Sequence, residues 1–205
     1  MQDEPSENTT PPASLSVWRQ AERERLIKDR LSLSADERAA IAADIAQELD
    51  RMIAPAPGLT ISLYWPFKGE LDLRGWMATA HDAGARIALP VVVKKAQPLV
   101  FRPWSPGCEM TRGVWNIPIP ANDEQLVPDV VLSPLVGHDS LCFRLGYGGG
   151  FFDRTLAGLR DAGRPARVIG VGVPQSRMPT IRPQPHDIPM DVILTGGGRV
   201  LTRAG

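Results

Sequence analysis

The residues with the clearest chemical potential form one glycine-rich loop, Arg144-Leu145-Gly146-Tyr147-Gly148-Gly149-Gly150-Phe151-Phe152-Asp153-Arg154. Four glycines in five positions disfavour a helix or a strand, because ordered glycine loses more backbone entropy than any other residue. The residues that follow are typical of a helix, and a glycine turn leading into a helix N-terminus favours anions. Arginines lie at both ends, and Asp153 is a carboxylate that can hold a cation. The pattern predicts a phosphate-and-metal loop.

The same glycines are also compatible with a purely structural turn between a strand and a helix. The loop lacks the Gly-Lys-Ser/Thr ending of a P-loop, and its spacing differs from that of the dinucleotide-binding fingerprint. Glycine content alone slightly favours the structural turn, whereas the flanking charged residues favour a function. Considered by itself, the loop leaves both interpretations open.

Several segments, including this loop, resemble the 5-formyltetrahydrofolate cyclo-ligase (5,10-methenyltetrahydrofolate synthetase) family. The resemblance extends over residues 17–196, and the matching segments occur in the family's order. They are Arg19 and Arg23 followed by residues 33–38, then residues 70–72, 115–120, 133–139, 144–154 and 186–195. Several collinear motifs are far more specific than one loop. The chain is therefore identified as a member of this family, with the properties that membership implies.

The resemblance implies an ATP-dependent ligase that cyclises 5-formyltetrahydrofolate to 5,10-methenyltetrahydrofolate and releases ADP and phosphate. It implies ATP and a reduced folate as small-molecule partners, and Mg²⁺ as the cofactor. The implied ATP-binding residues are Arg19, Arg23, Arg144, Leu145, Gly146, Tyr147, Gly148, Gly149, Gly150, Phe151 and Phe152. The implied folate-binding residues are Glu70, Trp115, Tyr147, Gly148, Gly149, Gly150 and Phe151, and the implied Mg²⁺ ligands are Asp153 and Asp191.

Each of these assignments has a structural alternative. Arg19 and Arg23 lie one helical turn apart and can clamp phosphate oxygens together, but the sequence alone favours a solvated helix face. Glu70 follows a predicted strand, where ligand sites of α/β sheets lie. It can accept hydrogen bonds from the paired N–H donors of a pterin, or it can simply stabilise a helix N-terminus.

Trp115 lies in an irregular proline-rich stretch, where it can stack on a flat pterin ring or fill the core. Asp153 and Asp191 suit Mg²⁺, which takes one or two carboxylates besides phosphate oxygens and water. Both can equally be cap and turn residues. His186 and Asp187 are adjacent on a proline-rich loop, and we interpret Asp187 as a structural or supporting residue.

The chain departs from the family pattern inside the loop. Phe151 and Phe152 replace a Tyr-Tyr pair that many members have, so two hydroxyl groups are missing. Gly149 replaces a residue that is lysine in some relatives. Two alternatives to the folate reaction therefore stay open. One is a diverged ATP-dependent relative acting on another formylated heterocycle, and the other is a non-catalytic nucleotide- or folate-binding protein.

The overall composition indicates which partners, cellular compartment and domain organisation to expect. The formal net charge of zero argues against nucleic acid or anionic membranes as partners. No stretch has the roughly 18 consecutive apolar residues of a membrane helix. Two cysteines are too few for a disulfide scaffold, which favours a reducing compartment, and we expect a cytoplasmic protein. Residues 1–14 are polar and predicted to be a disordered tail, and residues 15–205 are predicted to form a single domain.

The elements that must position these residues alternate along the chain. Hydrophobic periodicity and capping signals predict helices over residues 15–31, 35–52, 73–83 and 151–159. Short apolar runs predict strands over residues 60–65, 86–93, 99–104, 130–132, 167–173 and 192–195, with the second and third paired as a hairpin. This order predicts an α/β three-layer sandwich with a largely parallel central sheet and an N-terminal helical segment.

Overall fold

The computed structural model describes residues 14–204. The predicted disordered tail, residues 1–14, lies outside the described residues except for Ser14. The Ser14 hydroxyl accepts the Val17 N–H at 3.4 Å and caps helix α1 (Leu15–Leu31). A capping box of Ser34 and Glu37 begins helix α2 (Ala35–Ile53), as the sequence predicts.

A seven-stranded sheet and two small hairpins contain the strands of the described residues. In chain order these strands are β1 (Thr60–Ser62), β2 (Arg86–Val91), β3 (Val100–Trp104), β4 (Met110–Arg112), β5 (Pro118–Pro120), β6 (Val130–Pro134), β7 (Gly137–His138), β8 (Arg144–Leu145), β9 (Arg167–Val171), β10 (Val192–Leu194) and β11 (Val200–Thr202). The central sheet has the order β11-β10-β9-β6-β1-β2-β3, and β4–β5 and β7–β8 are the hairpins. The five inner strands are parallel, and β3 and β11 pair antiparallel at the two edges. The predicted hairpin of the second and third strands is confirmed.

Helices cover both faces of the sheet. Along β6, Val130 and Leu132 pack in the cluster that contains α2 and helix α3 (Arg74–Asp82). Val131, between them, packs in a second cluster with Leu156 of helix α4 (Phe151–Asp161). Successive residues of a strand point to opposite faces, so the two clusters lie on opposite sides of the sheet. The predicted three-layer α/β architecture is confirmed.

Helix α1 lies apart from both clusters, against the connections that follow the strands. Its Leu26 is buried with Val136, Leu145, Met178 and Ile181, which all belong to loops or to the small β7–β8 hairpin. The N-terminal helical segment is thereby held against the carboxyl ends of the parallel strands. Among the described residues, none of the helices is long and apolar enough to cross a membrane.

The predicted strands are generally longer than the observed ones. The first strand ends at Ser62 instead of residue 65, and the last parallel strand ends at Leu194. The two small hairpins, β4–β5 and β7–β8, and the edge strand β11 were not predicted. They consist of two or three residues each, too few for an alternation of apolar and polar residues to be visible.

Candidate active site

A cavity of about 200 Å³ opens where β1, β2 and β6 end. In open parallel sheets this carboxyl edge is the usual place for a ligand. The cavity brings together every site residue that the sequence predicts except Asp191. These lining residues are Arg19, Arg23, Glu70, Trp115, Arg144, Leu145, Gly146, Tyr147, Gly148, Gly149, Gly150, Phe151, Phe152 and Asp153.

The glycine-rich loop connects β8 directly to α4. Gly148 and Gly150 have φ angles of +92° and +62°, and Gly150 is the residue that caps α4. These angles are strained for any residue with a side chain, so glycine is required there. Within residues 14–204, the N–H groups of residues 147–150 have no acceptor. Unpaired N–H groups at a helix N-terminus are the arrangement that favours an anion, so the geometry is compatible with the predicted phosphate loop.

Arg144 lies under this loop as a buried cation. Its guanidinium donates to Asp153 at 3.4 Å and to the Pro134 carbonyl at 3.4 Å, while its Nε has no partner among the described residues. A Cβ on Gly146 would lie 2.4 Å from Arg144 Nη1, so only glycine allows this approach. Burial lowers the pKa of Arg144, and the charge of Asp153 opposes that effect. The arginine stays the main positive charge beneath the loop.

The two phenylalanines retain packing roles without hydroxyl groups. The Phe152 ring lies 5.0 Å from the Arg144 guanidinium, and the Phe151 ring lies 5.6 Å from that of Arg154. Cation–π contacts of this kind need only the ring face. A Cβ on Gly149 would lie 2.6 Å from the Phe151 ring. The glycine and the ring position therefore depend on each other, and a longer residue at 149 would displace Phe151.

Helix α1 presents two further arginines to the cavity. Arg19 forms an ion pair of 2.5 Å with Asp187 and donates to the Ile181 carbonyl. Arg23 donates from Nε to the Gly146 carbonyl at 2.7 Å, and its guanidinium faces Gly148. Burial, followed by the charge of Arg19, lowers the pKa of Arg23. The solvated helix face that the sequence alone favours is wrong for this pair, because α1 is docked on the loop.

Asp187 is a cavity residue that the sequence analysis treated only as a supporting one. Burial acts to raise its pKa, but hydrogen bonds from Arg19 and from the Gln184 N–H outweigh that effect and lower the pKa. Asp153 accepts the N–H of Ile188 at 3.2 Å, which brings the Asp187 loop beside the glycine-rich loop. The contact joins residues far apart in sequence, and no local spacing signals it.

Asp191 does not reach the cavity, which contradicts the predicted pairing with Asp153. It precedes β10 and accepts the Val168 N–H at 2.8 Å, and its other oxygen accepts from Arg203. Residues that precede parallel strands lie at the amino edge of the sheet, opposite the cavity. Asp191 is a turn residue, the structural alternative considered above. In the described part of the chain, no cluster of three or more His, Cys, Asp or Glu residues is arranged for a metal.

Glu70 is held in a tight turn at the end of the first parallel strand. Its carboxylate accepts the Phe67 N–H and the Tyr147 hydroxyl, both at 2.9 Å. Burial raises the pKa of Glu70 from 4.5 to about 7, although the nearby charge of Arg30 acts to lower it. Asp72, instead of Glu70, accepts the first N–H of α3. The helix-stabilising alternative for Glu70 is therefore wrong, and its carboxylate faces the cavity.

Trp115 forms the aromatic rim of the cavity. Its side chain is 54% exposed, so it is no core filler. The indole stacks on Phe67 with centroids 6.4 Å apart and an interplanar angle of 18°, and Phe151 meets its edge at 6.1 Å. The Tyr147 ring meets the Phe67 ring edge-on, with centroids 5.9 Å apart. Flat aromatic faces beside a buried carboxylate suit a planar ligand with polar edges.

Comparison with known proteins agrees with this geometry. A sequence model described as the 5-formyltetrahydrofolate cyclo-ligase family matches residues 15–196. The 5-formyltetrahydrofolate cyclo-ligase of Haemophilus influenzae is 26% identical over 186 residues, which cover 87% of this chain and 97% of that protein. The cyclo-ligase of Mycolicibacterium smegmatis is 32% identical over 146 residues, covering 67% of this chain and 74% of the relative.

Solved structures have the same fold. The NMR structure of the 5,10-methenyltetrahydrofolate synthetase of Aquifex aeolicus superposes with a TM-score of 0.75 at 25% identity, covering 91% of this chain and 94% of the other. The 5,10-methenyltetrahydrofolate synthetase of Mycoplasma pneumoniae has a TM-score of 0.67 at 24% identity, covering 86% and 97%. The matched segment includes the glycine-rich loop, α1 and the Glu70 turn. The chain therefore belongs to the 5-formyltetrahydrofolate cyclo-ligase family.

Proposed function

We propose that this enzyme uses ATP and Mg²⁺ to convert 5-formyltetrahydrofolate to 5,10-methenyltetrahydrofolate, ADP and phosphate. One observation carries the proposal: unpaired loop N–H groups and three arginines line the same cavity as a buried carboxylate and aromatic faces. The N–H groups and arginines suit phosphates, and the carboxylate and aromatic faces suit a planar heterocycle with N–H donors. A reaction that transfers a phosphoryl group from a nucleotide to a folate needs both.

At the phosphate end, this chain supplies donors and positive charge. The N–H groups of residues 147–150 would bind phosphate oxygens, with Arg144 beneath them and Arg23 beside Gly148. Arg19 is already paired with Asp187, and its role would be to hold the α1 end of the cavity closed. Preorganised donors of this kind stabilise charge that develops during phosphoryl transfer.

Asp153 is the protein group that fits Mg²⁺. It lines the cavity at the loop end, and a cation there would be shared between one carboxylate, phosphate oxygens and water, as Mg²⁺ prefers. The ion would neutralise phosphate charge during transfer. The contacts of Asp153 to Arg144 and to the Ile188 N–H are long, at 3.4 and 3.2 Å, so this carboxylate keeps capacity for a further partner.

At the folate end, Glu70 would accept hydrogen bonds from the amino-pyrimidine edge, and Trp115 would cover the ring. Only the ionised carboxylate offers an acceptor on both oxygens, because the neutral acid uses one oxygen as a donor. The formyl group would then lie towards the glycine-rich loop, because loop residues Tyr147 and Phe151 contact Glu70 and Trp115. Binding ATP and the folate in one cavity would hold the γ-phosphate and the formyl group close together.

In the proposed reaction, the formyl oxygen attacks the γ-phosphorus of ATP and ADP leaves. The folate N10 then bonds to the formyl carbon and loses its proton, and the carbon–oxygen bond breaks as phosphate departs. Phosphorylation turns a poor leaving group into a good one, so the protein mainly positions the groups and neutralises charge. Arg144 and the loop N–H groups would act in both steps, because the same phosphoryl group is transferred and then released.

Absorbance of the methenyl product gives the direct test, with ATP and Mg²⁺ each supplied or omitted. We expect product only when both are present. Asp153→Asn should lower turnover at least tenfold and raise the Mg²⁺ concentration for half-maximal rate, whereas Asp191→Asn should leave that concentration unchanged. Asp191 is the matched control, because it is a carboxylate at the opposite edge of the sheet.

The outcomes separate the alternatives. Product formed without ATP would contradict the proposed reaction. ATP binding without any methenyl product would favour a different formylated substrate or a non-catalytic protein. An equal rise of the Mg²⁺ concentration for half-maximal rate in both aspartate variants would contradict the site described here and restore Asp191 as a ligand.

A further inference from the structure

We propose that Arg30 is a positioning residue for folate recognition, because it fixes the Tyr147 hydroxyl as a hydrogen-bond donor to Glu70. The inference rests on the proposed function, since it concerns the carboxylate that would bind the folate. Arg30 is not among the residues that the sequence or the family motifs single out. It lies on α1, below the cavity, and reaches the substrate only through two other side chains.

Three hydrogen bonds hold Arg30 in place. Its Nε donates to the Lys68 carbonyl at 3.0 Å, and Nη1 donates to the Leu135 carbonyl at 3.3 Å. Nη2 donates to the Tyr147 hydroxyl oxygen at 2.6 Å. Arg30 as a whole is only 3% exposed, although it belongs to a helix whose other face is in water. A buried arginine with three directed donors has one allowed orientation.

The donor inventory decides the direction of the next bond. A guanidinium has only donors, so the Tyr147 oxygen must accept from Arg30. The single Tyr147 proton is then free to point at Glu70 Oε1, 2.9 Å away. The other carboxylate oxygen accepts the Phe67 N–H. Each Glu70 oxygen therefore has one protein donor and one remaining lone pair, and a folate with two adjacent N–H groups would take those remaining positions.

The charge of Arg30 also favours the ionised form of Glu70, which accepts on both oxygens. Burial raises the pKa of Glu70, and Arg30 is the largest opposing charge, ahead of the Tyr147 hydrogen bond and the more distant Arg144. Tyr64 is also buried nearby, but its hydroxyl donates to the Leu71 carbonyl instead. The other charged or titratable groups that line a pocket with Glu70 are Arg19, Arg23, Asp153, His186 and Asp187 in the cavity, and Arg38 and Asp72 in a second surface cleft. Without Arg30, the carboxyl would be protonated over a wider pH range.

Substitutions of Tyr147 and of Arg30 remove different contacts between Arg30 and Glu70. Tyr147→Phe keeps the ring and the two carbonyl bonds of Arg30 but removes the hydroxyl. Arg30→Met removes the charge as well, and Arg30→Lys retains the charge without the forked geometry. Arg25→Met is the matched control, since Arg25 lies on the same helix and pairs only with Glu22 and Asp29 at the surface.

Folate binding should weaken at low pH as Glu70 becomes protonated. We expect the midpoint of this loss to rise by about one pH unit in Arg30→Met and Tyr147→Phe. At pH 7 this corresponds to roughly fivefold weaker folate binding, and most of the loss should disappear at pH 9. The KM for ATP of Arg30→Met should stay within about twofold of the wild-type value, because Arg30 lies outside the glycine-rich loop. Arg30→Lys should recover part of the shift, and Arg25→Met should show none. A purely structural role of Arg30 would produce no recovery at high pH.

A second readout needs no ligand. Carbon-13 NMR of the ligand-free protein gives the pKa of Glu70, with the resonance assigned by its loss in Glu70→Gln. An upward shift of that pKa in both Arg30→Met and Tyr147→Phe supports the positioning role, and an unmoved pKa overturns it even if wild-type turnover is normal. If the pKa moves but wild-type protein neither binds nor converts 5-formyltetrahydrofolate, the proposed function fails, and the role of Arg30 in folate recognition fails with it.

Discussion

Replacing Glu70 with glutamine should make the folded protein less sensitive to alkaline pH. Burial raises the pKa of Glu70 from 4.5 to about 7, so the folded state holds its proton over a pH range where the unfolded chain has lost it. The free energy of unfolding then falls as pH rises through this range, because the unfolded state binds fewer protons. At ~1.4 kcal/mol per pH unit, the wild-type protein loses about 3 kcal/mol relative to Glu70→Gln. Nearly the whole difference is present once the pH is about one unit above the folded pKa of about 7.

Urea unfolding of both proteins at pH 5 and pH 8 measures this difference directly. Effects of all other titrating groups occur in both proteins and cancel in the comparison. We expect Glu70→Gln to gain about 2.5 kcal/mol relative to wild type between the two pH values, or roughly 5–10 °C in Tm, because part of the effect is already present at pH 5. Glu124→Gln is the control, because Glu124 forms only an exposed pair with Arg86. A Glu70→Gln difference that is the same at pH 5 and pH 8 would refute the argument that burial controls this carboxyl.

Two further substitutions test the loop and the aromatic rim. Gly146→Ala places a Cβ 2.4 Å from the buried Arg144 guanidinium, so we expect a higher KM for ATP and about 1–3 kcal/mol lower stability. Gly158→Ala, where a Cβ meets nothing within 4 Å, should instead add up to ~1 kcal/mol, and equal effects at both glycines would contradict this account. Trp115→Ala should raise the KM for the folate by a few-fold to about tenfold, the worth of one aromatic stack, with little change in stability. Unfolding and steady-state kinetics of the same preparations check both, and a large Tm loss in Trp115→Ala would make it a core residue.

Local signals in the sequence were sufficient for the main elements of the fold. The Ser34–Glu37 capping box begins α2 where predicted, and the residues at 61, 87 and 132 form the core of the parallel sheet. Capping and periodicity are properties of neighbouring residues, so they survive in any tertiary context. The length of the first strand was not predictable in this way. Its last predicted residues, including Tyr64 and Trp65, leave the sheet to line the cavity.

Within the site, the glycine-rich loop could be predicted and its partners could not. Positive φ at Gly148 and Gly150 follows from residue type, and so does an anion site at the start of α4. Whether Asp187 or Asp191 faces the loop depends on which edge of the sheet each one occupies. Only three residues lie between them, yet Asp191 directly precedes β10 and is therefore fixed at the amino edge, whereas Asp187 lies beside the glycine-rich loop. Sequence motifs contain no information on these positions until the strand order is known.

Helix α1 explains why an arginine-rich segment can be misread as a solvated surface. At 100° per residue, Arg19, Arg23, Leu26 and Arg30 fall within about 60° of one another on the helix, a narrow stripe that contains one apolar residue. Hydrophobic periodicity therefore predicts exposure, although the stripe is the buried face. The first and last of these arginines are about 16 Å apart at ~1.5 Å per residue. That length is enough for one helix to contact both Asp187 and Tyr147. Helix α1 therefore fixes these two parts of the site relative to each other. Its arginines can be buried because carbonyl and carboxylate oxygens on the neighbouring loops accept their hydrogen bonds.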